Sequence, residues 1–214
     1  GAIVSEDTKP IPSWIFAALL VLAAFGMSVG GLMTWHHEVQ AFGSAPGELM
    51  GCSADKAVNC DVVNTSSYSE FLGIPIATFA VGLYGLVAWL AFLGLKGRAG
   101  VLGLLAAIGL GATVYSGFLF YVSKVHLGYI CLWCMRLYGV NLILLILPLV
   151  GGAWRAGAVP MALVSQSAGT LFVTTLMALG GQQIYHATLV GSAPKSLEKK
   201  VKEGSGDEEV GALK

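Results

Sequence analysis

Four cysteines are the residues of this sequence best suited to chemistry. Cys52 and Cys60 lie eight residues apart, and Cys131 and Cys134 form the run Cys131-Leu132-Trp133-Cys134. A thiolate is both a nucleophile and a metal ligand, and two thiols within reach of each other make or break a disulfide. At the start of a helix, free backbone N–H groups and the positive end of the helix dipole favour the thiolate form of a Cys-x-x-Cys pair. The second sulfur then sits about one turn deeper than the first. Such a pair makes a two-step electron relay. A second dithiol in a loop can meet a soluble partner and then swing to the helix. Two other readings use the same residues. Two pairs can hold one tetrahedral Zn²⁺, and Cys52 with Cys60 can be a plain structural disulfide.

The elements that must position these sulfurs are written in long apolar runs. Of 214 residues, 56% are hydrophobic and 11% charged, and the mean hydropathy is +0.76. Soluble domains carry about 25% charged residues. Twelve basic and twelve acidic residues cancel. These values argue against a soluble enzyme, a disordered chain and a nucleic-acid binder. Trp14 to Met33, Phe71 to Leu95 and Ala99 to Ser123 contain no charged residue; Tyr129 to Val150 contains only Arg136. Met161 to Ile184 is also uncharged, though richer in Ser, Thr and Gln. A bilayer crossing takes about 20 such residues as a helix. The expected fold is therefore an all-α integral membrane protein, with four transmembrane helices and a fifth after them. The fifth run also suits an interfacial segment.

The connections are short except the first, expected as an outer loop over residues 35–70. Lys9, Lys96, Arg98 and Arg155 fall near span ends on one side. The positive-inside rule puts that side in the cytoplasm. The N-terminus, residues 1–13, is then cytoplasmic. The long loop, the Lys124–Gly128 turn and a hydrophilic tail over 191–214 are outside, with residues 151–190 holding the fifth span. All four sulfurs come to the outer face, where disulfides persist. That coincidence favours redox chemistry over metal binding.

The pattern as a whole resembles the vitamin K epoxide reductase family, particularly its bacterial homologues. The residues that carry the likeness are Cys52, Cys60, Ser66, Gly73-Ile74-Pro75, Cys131, Cys134 and Tyr138. It covers about residues 14–150. The resemblance implies a four-helix catalytic core with a quinone at its outer end and no metal. It implies that Cys52 exchanges with a thioredoxin-like periplasmic partner or fused domain. Cys60 then acts on the Cys131–Cys134 pair, and Cys134 faces the quinone. It also implies a thiol:quinone oxidoreductase of the bacterial cytoplasmic membrane that drives disulfide formation in exported proteins. In the family a fifth span often leads to a fused thioredoxin-like domain. The animal enzymes have a longer stretch before span two, with a polar residue that contacts vitamin K. Here Phe71-Leu72-Gly73-Ile74-Pro75-Ile76-Ala77 is short and apolar, which points to plain quinone reduction rather than epoxide reduction.

Tyr138 shares a helix face with Cys131 and Cys134, being seven and four residues on, and its hydroxyl suits a quinone carbonyl. Ser66 is expected to serve the quinone or the loop-to-helix exchange. Trp133 is expected to tune the pair or stack on the ring, and His126 to relay protons. Arg136 lies about 200° around the helix from Cys134 and is expected not to touch its sulfur. His36, His37 and His186 read as ordinary interfacial histidines. Gly82, Gly85, Gly103, Gly111 and Gly117 read as close-packing sites. A transporter would want ionisable residues along a midplane path, and Arg136 is the only one.

Overall fold

The computed structural model describes residues 11–42, 52, 57–155 and 158–192. Most of the expected N-terminal segment, much of the loop between 43 and 56, and the tail from 193 onward lie outside the described residues. The described chain is helical apart from one small hairpin. Helix α1 spans Ser13–Phe42 and the short α2 spans Cys60–Asn64. A 3-10 turn, Ser67–Ser69, leads into the hairpin β1 (Glu70–Phe71) and β2 (Ile74–Pro75). Four more helices follow: α3 over Ile76–Leu95, α4 over Val101–Tyr121, α5 over Leu132–Val150 and α6 over Met161–Ser192. Five of these helices are long and apolar enough to cross a membrane, which makes this an all-α, multi-pass membrane protein.

Helices α1, α3, α4 and α5 close a four-helix ring, and α6 lies outside it along α3. The end of the ring away from the cysteines is solid. There Ile15 and Leu19 of α1, Leu90 of α3 and Leu105 of α4 are almost fully buried, as is Leu163 at the start of α6. Tight approach comes from small residues, since lipid offers no hydrophobic drive between helices. Thr174 of α6 donates to the Gly82 carbonyl at 2.8 Å. Gly82 and Gly85 both face the threonines of α6, as close-packing sites should. Gly111 and Gly117 do not pack: nothing lies within 4 Å of where a Cβ would stand. The close approach of α4 to α5 falls instead at Gly109. A Cβ there would sit 2.7 Å from the Leu144 carbonyl oxygen. Pro148, buried inside α5, has no N–H to give that carbonyl, so Gly109 covers a backbone acceptor left open by the proline.

One boundary differs from expectation. The outer loop does not begin at residue 35, because α1 continues through Trp35 to Phe42. His36, His37 and Glu38 look like loop residues in sequence. All three are buried and meet partners from other elements, so their polarity is spent inside the protein. Several polar residues of the fifth run also find partners. Ser167 and Thr170 bond back to their own helix, to Leu163 and Gln166 carbonyls. Gln182 donates to Glu38 Oε1 at 2.7 Å, and His186 Nδ1 lies 2.8 Å from Glu38 Oε2. This run is a helix packed along the bundle, long and apolar enough to cross a membrane.

The two glycines of α4 should separate cleanly. Gly109→Ala forces α4 and α5 apart, at a cost of about 1–3 kcal/mol. Gly111→Ala should leave stability unchanged or slightly higher. Thermal melts of the two variants in one detergent check this; equal melting temperatures would contradict the Gly109 contact.

Candidate functional site

The cysteine end of the bundle is built around the start of α5. Cys131 is the N-cap of that helix, in extended conformation, and its sulfur accepts the Cys134 backbone N–H at 3.2 Å. A sulfur thus takes the place that a Ser or Asp oxygen usually fills at a helix start. The residue before it, Ile130, makes a parallel bridge to Val58. Ile130 N–H donates to the Ala57 carbonyl at 2.9 Å, and Asn59 N–H donates to the Ile130 carbonyl at 3.1 Å. Cys60 opens α2 two residues after this bridge, so the loop and helix pairs are held side by side. Cys52 and Cys60 are joined in a disulfide with Cα atoms 5.6 Å apart, while Cys131 and Cys134 are free thiols. Cys52, Cys60 and Cys131 are at most 4% exposed and share one cluster.

A buried polar network fixes α2 in place. Asn59 caps it, its side chain accepting the Val62 N–H. Asn64 ends it and is tied to α1. Its Nδ2 donates to the Met33 carbonyl at 2.9 Å and faces His36 Nδ1 at 3.0 Å. The Asn64 carbonyl accepts from His37 Nδ1 at 2.7 Å and from the Ser69 hydroxyl at 2.7 Å. His37 Nε2 lies 3.3 Å from Glu70. His36 Nε2 lies 2.7 Å from Asp61 Oδ1, but its N–H is not aimed along that line, so the contact is electrostatic rather than a straight hydrogen bond. His36 and His37 are therefore not ordinary interfacial histidines; they are the struts of the cysteine loop.

Beneath this roof lies a cavity of about 390 Å³. Residues of α3 and α4 line it, and α5 supplies its reactive wall with Cys134, Tyr138 and Asn141 on one face. Apolar side chains such as Phe79, Leu83, Leu119 and Leu137 make most of the surface. Asn64, Ser66 and Ser69 come down from the roof, and Leu171 and Thr175 of α6 complete the flank. Such a space, apolar with a few placed polar groups, suits a small aromatic ligand with polar ends. The Tyr138 hydroxyl is close enough to the Cys134 sulfur to interact with it.

Of the residues singled out in sequence, Cys134, Tyr138 and Ser66 line the cavity. Cys52, Cys60 and Cys131 pack behind it. His126 and Trp133 do not line it. The end of α4 is a π turn over Val122–Leu127, which widens the helix and turns Val122, Ser123 and Leu127 toward the cavity. His126 is left outside, stacked on Tyr68 at 6.0 Å and edge-on to Tyr121 at 5.8 Å. Trp133 lies under the Arg136 guanidinium, 4.0 Å from the ring centroid, so its face is covered by a cation and not by a ligand. Arg136 itself is exposed, away from the cavity. Among the lining residues not singled out in sequence are Asn64, Tyr84 and Asn141. A buried amide must find partners, and Asn64 follows Cys60 by one helical turn. Asn141 sits seven residues after Cys134, on the same face. Those spacings were the available signals. Among the described residues no three His, Cys, Asp or Glu side chains gather as a metal site.

A multi-pass membrane protein with a free thiol in the wall of an apolar cavity, and a second cysteine pair bridged behind it, is built for thiol redox chemistry. The chain belongs to the vitamin K epoxide reductase family, whose sequence profile matches residues 17–149. No curated protein matches it individually. Membership makes it a membrane oxidoreductase of the thiol and quinone type in general terms. The matched region holds the four-helix ring and all four cysteines; α6 lies beyond it.

The environment of Cys131 sets a direction for its titration. The Cys134 thiol hydrogen bond holds Cys131 below the ordinary thiol range, aided by the backbone N–H groups of Cys134 and Trp133. Burial and the Asp61 carboxylate push the other way. A depressed pKa means that the thiolate appears at lower pH, and losing the donor must raise it. With the loop disulfide intact, the ultraviolet thiolate absorbance of Cys131 should rise at higher pH in Cys134→Ala than in Cys134→Ser, which keeps a hydroxyl donor. A midpoint for the alanine variant at or below that of the serine variant would contradict the assignment.

Proposed function

We propose that the protein is a thiol:quinone oxidoreductase that oxidises a thioredoxin-like partner and passes the electrons to a quinone. The observation that carries this reading is Cys134 in the wall of the apolar cavity, with Cys131 behind it at the bridge to the cysteine loop. The partner's two thiols reduce the Cys52–Cys60 disulfide and leave as a disulfide, with Cys52 taking the exchange. Cys60 as thiolate then attacks Cys131 of a Cys131–Cys134 disulfide, and Cys52 resolves the mixed disulfide. The products are a Cys52–Cys60 disulfide and two thiols at Cys131 and Cys134, the pairing seen in the structure.

A bound quinone supplies the two-electron sink and leaves as the hydroquinone. The rest of that half-reaction belongs to the chain. Cys134 faces the cavity, and Cys131 closes the disulfide with it as two electrons and two protons leave the pair. The Tyr138 hydroxyl, beside Cys134, can hold a proton at that sulfur. The low charge and apolar walls admit a lipid-soluble ring, while Asn64, Ser66 and Ser69 offer polar contacts at one end. The short, apolar Phe71–Ala77 stretch favours quinones over epoxides. The likeness to bacterial homologues favours a bacterial cytoplasmic membrane, and the charge pattern favours a cytoplasmic N-terminus with the cysteine end outside.

Quinone reduction by purified protein tests this, followed by ultraviolet absorbance with a reduced thioredoxin-like protein as donor. Wild type should turn over. Cys134→Ala should fall by about 10³-fold or more, as loss of a reacting group does. Cys52→Ala should fail with the protein donor and still work with a small dithiol. Inert wild type with ubiquinone, menaquinone and vitamin K alike would overturn the reading.

A further inference from the structure

The cavity has a second polar end, away from the roof. Asn141 lies seven residues beyond Cys134 on α5, about 10 Å along the helix. Its orientation follows from its partners. The Ser116 hydroxyl gives its hydrogen to the Ala112 carbonyl at 2.8 Å, so its oxygen can only accept. It accepts from Asn141 Nδ2 at 2.9 Å. The amide oxygen therefore faces Tyr84, whose hydroxyl donates to Oδ1 at 2.8 Å. The Asn141 backbone is fixed as well, its carbonyl accepting from Thr113 at 3.1 Å. Tyr84 is 2% exposed, and its ring lies over Gly26 of α1, where a Cβ would strike it. Three helices thus hold one amide rigidly, and Asn141, Ser116 and Tyr84 all line the cavity.

The amide group has two N–H donors. One is spent on Ser116, and the other has no partner among the described residues. In a space with so few polar atoms, an unspent donor on a locked amide is a recognition element. We infer that Asn141 is a second carbonyl-binding position, and that it selects ligands with hydrogen-bond acceptors at both ends of the ring, as a para-quinone has. This rests on the quinone reading above. One acceptor sits at the Cys134–Tyr138 end, and the other receives the spare Asn141 N–H. Reduction puts negative charge on both oxygens, so a fixed donor at each end helps the electron transfer as well as the binding. Tyr84 and Ser116 are positioning residues: they act through the amide.

The test is quinone kinetics with a small dithiol as donor, in Asn141→Leu, Tyr84→Phe and Ser116→Ala. Asn141→Leu should raise the quinone KM about three- to tenfold, the worth of one ordinary hydrogen bond. Reduction of the Cys131–Cys134 disulfide by the dithiol, measured without quinone, should not change. Tyr84→Phe keeps the ring over Gly26 and frees the amide to turn, so its KM should rise by a smaller factor. A ring with one carbonyl, used as a competitive inhibitor, should bind wild type less tightly than the matching para-quinone analogue. Asn141→Leu should lose that preference. If Asn141→Leu does not fold, Tyr84→Phe and Ser116→Ala decide by the same two readouts. Folded variants that keep the wild-type KM and the two-carbonyl preference would overturn this inference alone. A wild type that reduces no quinone would overturn the proposed function, and this inference with it.

Discussion

The cysteine end of this protein depends on one buried amide, Asn64. It is the last residue of the five-residue helix that begins with Cys60. A helix of one turn does not hold itself in water or at a membrane edge. This one is held because Asn64 gives its amide hydrogens to α1 and takes His37 and Ser69 on its carbonyl. The same contacts make the roof of the cavity and bring Asp61 beside His36. With the Val58–Ile130 bridge on the other side, the loop pair cannot drift from the helix pair. Asn64 thus links three things at once: the loop's position, the burial of two histidines and the shape of the ligand space.

The bundle divides its work along its axis. At one end side chains fill the space between helices, and small residues bring backbones into contact. At the other, α3 and α4 stand apart and leave a cavity that packing would otherwise remove. An open space costs dispersion contacts, so something must hold it open. The π turn at the end of α4 widens the helix there, and Ser123 and Tyr129 lock it, with a hydroxyl-to-carbonyl bond of 2.5 Å. The Tyr84–Asn141–Ser116 chain ties α3, α5 and α4 together at the cavity's far end, across the gap and without filling it. Helix α6 is fastened by the buried Glu38 carboxylate, whose two oxygens are both met from α6. An ionisable group inside a membrane bundle is tolerated on such terms.

Much of this was legible in the sequence. Uncharged runs of the right length gave five spans, and the spacing of four cysteines with Ser66 and Tyr138 gave the family. What stayed hidden were partners. His36, His37 and Glu38 were polar residues after an apolar run, which is how a loop begins; nothing local says that Asn64, Asp61 and Gln182 come to meet them. His126, expected as a proton relay just before span four, lies in a π turn that leaves it off the cavity wall, a local geometry that apolar runs do not announce. Gly111 and Gly117 were as good as Gly109 by composition. Only the proline in the neighbouring helix marks the glycine that packs.

Under the proposed reaction, the arrangement of the sulfurs gives the two pairs different tasks. Cys134 is in the cavity wall and Cys131 is not. Cys131 lies next to the loop bridge, in the same buried cluster as Cys52 and Cys60. In the proposed reaction each sulfur of the helix pair serves a different partner, and the disulfide between them is the passage from one to the other. A single pair exposed to both would put a lipid-soluble ring and a soluble protein at the same atom. That would demand a site at once apolar and wet. Placing the exchange behind the helix cap and the ring in front of it keeps the two half-reactions at different atoms of one disulfide.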